Sequence, residues 1–161
     1  MKRIFSLLLL LTLALTAVSC GTPETPASKK YVFRKGNVEI AIDAEVTAIL
    51  PALGTYKTYD ATPSCAFAGE DKIYVYDGFK LQTYQKTAGG ADFVYSVVLT
   101  DDTYATPEGV TIGSDSSLVL EKYGNPDEKT DAKISYTTGT EQLLFLIKDG
   151  KVSSVQYLKL A

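Results

Sequence analysis

Residues 108–127 read EGVTIGSDSSLVLEKYGNPD, and a weaker copy of this stretch stands earlier in the chain. Aligning Gly124 with Gly54 superposes Val110, Thr111 and Ile112 on Ile40, Ala41 and Ile42, Leu120 on Leu50, and Tyr123 on Leu53. Each copy reads as a short apolar strand, a capped amphipathic helix and a glycine stop. In the second copy Ser114 is the predicted N-cap, Leu118, Val119 and Tyr123 mark the helix, and Gly124-Asn125-Pro126 ends it. In the first, Asp43 is the predicted cap and Val46, Ile49, Leu50 and Leu53 fall at i, i+3, i+4 and i+7. Pro51 removes one hydrogen bond there and predicts a kink or an early end.

Beyond each glycine stop the pattern turns to strands. Three are predicted over residues 72–76, 79–84 and 93–100, and three more over 133–137, 142–148 and 151–159. Asp77-Gly78 and Asp149-Gly150 are two-residue hairpin signals, whose type I′ turn wants positive φ at both central positions. Residues 31–33 begin the folded part, and 34–37 turn into an alternating strand over 38–42. Residues 55–71, which hold Tyr56, Tyr59, Pro63 and the run Ser64-Cys65-Ala66-Phe67, read as a long connection. The expected fold class is α+β: two tandem β-α-β-β-β units, at 31–102 and 103–161, with the helices packed on one face of antiparallel sheet.

Residues 1–19 read as a signal peptide: Lys2 and Arg3 are followed by an apolar run over 4–18. As a helix that run would be roughly 22 Å long against roughly 30 Å of hydrocarbon core, so cleavage is favoured over spanning. Ala17-Val18-Ser19-Cys20 resembles the lipobox of bacterial lipoproteins, in which the cysteine is acylated and becomes the first residue. Carried over, Cys20 is the lipidation site and several acyl chains hold the protein, at about 0.8 kcal/mol per buried CH₂. The alternative is an ordinary secreted protein cleaved nearby. Residues 20–30, with two prolines and no large apolar side chain, read as a tether. The expected location is extracytoplasmic, lipid-anchored to a bacterial membrane, and at the cell surface in a Gram-positive host.

The 16 basic and 19 acidic side chains give a net charge of −3, and cleavage before Cys20 removes Lys2 and Arg3 and no acid, which leaves −5. Phosphate binding needs clustered Lys and Arg, so no nucleic-acid partner is expected. Histidine and tryptophan are absent, which removes Ser/His/Asp and Cys/His nucleophile systems and the usual zinc ligand sets. Cys65, the thiol left once Cys20 is acylated, reads as a buried small hydrophobe. Glu70-Asp71, Asp101-Asp102 and Asp127-Glu128 fall in predicted turns, and adjacency in sequence does not provide the roughly 5–9 Å separation of glycosidase carboxyls. No cofactor, metal or catalytic residue is predicted.

A glycine-ended helix followed by a meander finishing in Asp149-Gly150-Lys151-Val152-Ser153-Ser154-Val155 resembles the β-lactamase-inhibitor-protein-like domains and the SmpA/OmlA (BamE) envelope lipoproteins. Residues 109–160 carry most of that resemblance, with Tyr123-Gly124-Asn125-Pro126 in the place of the family's helix-ending motif. The chain also resembles a group of uncharacterised Gram-positive lipoproteins with a similar SCAF segment. The resemblance implies an aromatic sheet face, turned away from the helices, that binds protein. On that expectation Ile73, Val75, Phe79 and Leu81 face the helix, and Tyr74, Tyr76, Lys80, Gln82 and Tyr84 form the candidate protein-binding face. The expected function is a non-catalytic protein-binding or envelope scaffolding lipoprotein, with an inhibitor of a secreted or cell-wall enzyme as the alternative. The partner is a protein of unknown identity.

Overall fold

The computed structural model describes residues 31–160. A hairpin of β1 (Val32–Lys35) and β2 (Val38–Ala41) leads to a short helix α1 (Ile49–Leu53). Four strands follow: β3 (Thr58–Pro63), β4 (Glu70–Val75), β5 (Phe79–Gln85) and β6 (Asp92–Leu99). After α2 (Ser116–Tyr123) come β7 (Glu128–Lys129), β8 (Lys133–Thr138), β9 (Glu141–Lys148) and β10 (Lys151–Lys159). β3 to β10 form one antiparallel sheet in the order β3-β4-β5-β6-β10-β9-β8-β7.

This corrects the α+β expectation. Strand accounts for 49% of the structure and helix for 10%, so the chain is a β protein and not a pair of helix-covered α+β units. The first echo fails as a helix start for a visible reason. Asp43 has φ 62, its N–H donates to Val94 O at 2.9 Å, and Val94 N–H donates back to Ala44 O at 2.9 Å. Residues 43–46 therefore lie against the start of β6, and only five residues around Pro51 remain helical. In the second copy Val110 is buried in a turn that closes on Thr106 rather than in a strand. The Ser114 hydroxyl accepts the Thr111 N–H at 3.1 Å instead of capping α2. The first N–H of α2, from Ser116, goes to Gly150 O at 2.9 Å.

The core lies on one side of the sheet. Register sets Tyr74, Leu81, Val97, Tyr157, Leu143 and Tyr136 side by side across six strands, and all six are buried. The β1–β2 hairpin closes this face through Phe33, whose ring centroid sits 5.0 Å from Phe79, 5.5 Å from Tyr104 and 6.0 Å from Tyr157. At the other end Tyr123 of α2 packs 5.3 Å from both Tyr136 and Phe145.

Candidate protein-binding site

The expected aromatic face is divided by the structure. Asp77-Gly78 joins β4 to β5 with Tyr76 N–H donating to Phe79 O at 2.9 Å, so these two residues are cross-strand neighbours on the same face. Their rings stack at 4.8 Å. Tyr74 and Tyr76 therefore point into the core, whereas Ile73 and Val75 share the outer face with Lys80 and Gln82. Only Gly78 of that turn has positive φ, so the expected type I′ geometry is met at Asp149-Gly150 and not here.

Tyr84 does lie on the outer face, but it is closed over. Phe67 of the SCAF segment covers it at 4.6 Å, and Phe93 and Tyr95 flank it at 5.9 and 6.0 Å. Its hydroxyl donates to Asp43 Oδ1 at 2.7 Å, while Lys159 Nζ donates to Asp43 Oδ2 at 2.6 Å. Cys65, expected buried, is exposed beside this cover. Lys80 stays exposed, and Gln82 is half-buried with Ser96 Oγ donating to its Oε1 at 3.3 Å. Cys20 lies outside the described residues.

The exposed aromatic site is one strand further out. Residues read from sequence as a connection form β3, an edge strand paired with β4 over its whole length and exposed at each position. Tyr59 pairs with Tyr74, so it is the next member of the buried core row, yet it is 46% exposed. Tyr56 at 43% and Ile73 at 37% complete the set of exposed large hydrophobics among the described residues. Tyr56 packs 5.4 Å from Tyr74 and 6.0 Å from Tyr59, and Tyr59 packs 5.1 Å from Tyr74. A ladder of rings thus runs from the core at Phe79 through Tyr76 to Tyr56 at the surface, 6.4 Å from Tyr76, where Tyr56 meets Tyr74 and Tyr59. Rigid rings backed by a packed core offer contact area at little entropic cost.

Burial pushes the Tyr74 hydroxyl up to about 12, helped by the negative charge of Asp92 and of the neighbouring phenols once ionised. The folded-state pKa lies above the ordinary 10.0, so this contribution to stability is complete below pH 10 and is lost as the pH climbs through 12. Tyr74→Phe should remove part of the alkaline fall in stability, read from urea unfolding at stepped pH. An unchanged profile would assign that fall to other groups.

The carboxylates of the sequence pairs hold turns and strands. Asp101 Oδ1 accepts Thr103 N–H at 2.9 Å, Asp127 Oδ2 accepts Thr137 N–H at 2.6 Å, and Glu128 pairs with Lys133 at 2.8 Å. A cavity of about 190 Å³ opens between Tyr31, Glu108, Tyr123 and Tyr157, where Glu108 accepts the Tyr123 hydroxyl. Among the described residues no helix is long and apolar enough to cross a membrane, and no group of His, Cys, Asp and Glu could hold a metal ion.

No protein-family model matches the chain, and no curated protein does. The structure is similar to the crystal structure of an extracellular protein containing a SCP domain from Bacillus anthracis str. Ames, with 13% identity and a TM-score of 0.45. The match covers 83% of this chain and 50% of that one, so the chain spans about half that protein's length. At that distance the likeness assigns neither an activity nor a partner.

Proposed function

We propose that the protein is a non-catalytic protein-binding or scaffolding module, lipid-anchored through Cys20 on the outer side of a bacterial membrane. The location rests on Lys2 and Arg3, the apolar run that follows and Ala17-Val18-Ser19-Cys20. The binding role rests on one observation: the core row of the sheet ends in an exposed tyrosine, Tyr59, flanked by the exposed ring of Tyr56. An aromatic surface continuous with the core is what an interface anchor requires, because its rings are already held in place before the partner arrives.

Tyr56→Ser with Tyr59→Ser, in the full membrane-anchored protein, should weaken capture of the envelope partner at least about 30-fold, the equivalent of roughly 2 kcal/mol. The thermal midpoint should fall by less than for a core truncation, since both residues are more than 40% exposed. Equal capture by the double variant would remove this patch from the binding function.

A further inference from the structure

The tyrosine patch borders an edge whose hydrogen-bonding groups are unused among the described residues. Ser64 N–H donates to Gly69 O at 2.9 Å, which continues the register pairing Pro63 with Glu70 and Thr62 with Asp71. In an antiparallel ladder alternate residues turn their backbone groups toward the neighbour. Ser64, Thr62 and Asp60 therefore face β4, and Tyr59, Ala61 and Pro63 present theirs outward. Proline at an outward position fits, because it has no N–H to leave unpaired. The opposite edge of the sheet, β7, is two residues long and reads Glu128-Lys129, a short charged end that resists pairing.

Resting on the binding role above, we infer that β3 takes up an extended, cationic segment of a partner protein as a ninth strand of the sheet. The side chains on its two faces say what that segment contains. On the core face, Tyr59 and Tyr56 would receive an apolar residue that extends the buried row. On the outer face, Asp60 pairs with Ile73 and Asp71 with Thr62, so two carboxylates without an ion pair among the described residues sit beside Ile73. Lys80, the cation on that face, stands on β5 opposite Val75, two strands in from the edge, and Lys72 on the other face is committed to Asp92 at 2.9 Å. Lysine or arginine at alternate positions of the incoming strand meets Asp60 and Asp71. A second copy of this chain supplies no cation to this face: β3 paired antiparallel with itself about Asp60 brings two Asp60 carboxylates together, and paired about Ala61 it sets Asp60 opposite Thr62.

The test uses the full mature chain and three probe octapeptides: alternating lysine and valine, alternating glutamate and valine, and the lysine peptide N-methylated on alternate residues. The lysine peptide should bind and slow hydrogen exchange at the Tyr59 and Ala61 amides. The other two should bind at least about tenfold more weakly, from charge repulsion and from lost backbone bonds. Ala61→Pro, which removes an outward N–H, should abolish lysine-peptide binding while keeping the thermal midpoint. Failure of the lysine peptide to bind, binding that leaves those amides unprotected, or full binding of the N-methylated peptide overturns strand addition. If Ala61→Pro keeps the envelope partner while Tyr56→Ser with Tyr59→Ser releases it, strand addition falls and the binding role stands.

Discussion

Phe33→Ala is expected to destabilise the protein by about 4 kcal/mol, the middle of the range for emptying a fully buried aromatic site. Phe33 is completely buried and touches β5 through Phe79, β10 through Tyr157 and the loop between β6 and α2 through Tyr104. It belongs to neither half of the large sheet, yet packs on a strand of each. A small side chain here would leave a cavity beneath the β1–β2 hairpin that the rigid sheet residues Phe79 and Tyr157 cannot close. Arg34→Ala, on the same hairpin, removes only an exposed pair with Glu39 and should cost under about 1 kcal/mol. Urea unfolding of the two variants separates them; equal losses would mean that the hairpin contributes little packing.

Gly69→Ala should cost about 3 kcal/mol through overpacking. A Cβ at Gly69 would stand 2.4 Å from Gln85 Cβ and 2.8 Å from Gln85 O, against backbone that belongs to β5. The entrance to β4 has to move, which strains the Ser64–Gly69 bond and lifts Phe67 from Tyr84. Gly36→Ala is the comparison: its φ of +58 is strained for any side chain, but nothing lies within 4 Å, so roughly 1 kcal/mol is expected. A loss at Gly69 no larger than at Gly36 would show that the SCAF cover is not fixed against the sheet.

Six of the eight strands of the large sheet were legible from sequence, because alternation and Asp-Gly turns report directly on pleat and hairpin closure. What failed had local causes. The triplets Ile40–Ile42 and Val110–Ile112 look alike, but an apolar triplet fits a hairpin or a buried turn equally well, and long-range pairing of residues 43–46 with β6 decided the first. Hydrophobicity alone puts Tyr74 and Tyr76 on the wrong face, although Asp77-Gly78 contains the answer: a two-residue turn places Tyr76 opposite Phe79, and hence on its side. Ile73 and Val75 are the more hydrophobic pair, but register and not hydrophobicity sets the face. β3 was missed because Thr58–Pro63 carries Asp60 and Pro63, which depress strand propensity and are tolerated at an edge. Tyr56 and Tyr59 therefore read as part of a connection, one strand away from Tyr74 and Tyr76.

A photoreactive residue in place of Thr58, in the full-length protein in its native membrane, tests binding at the β3 edge most directly. One discrete heterologous adduct is expected from position 58 and none from the same residue placed at Lys129 on the β7 edge. No adduct from position 58, or equal yields from both edges, would contradict it.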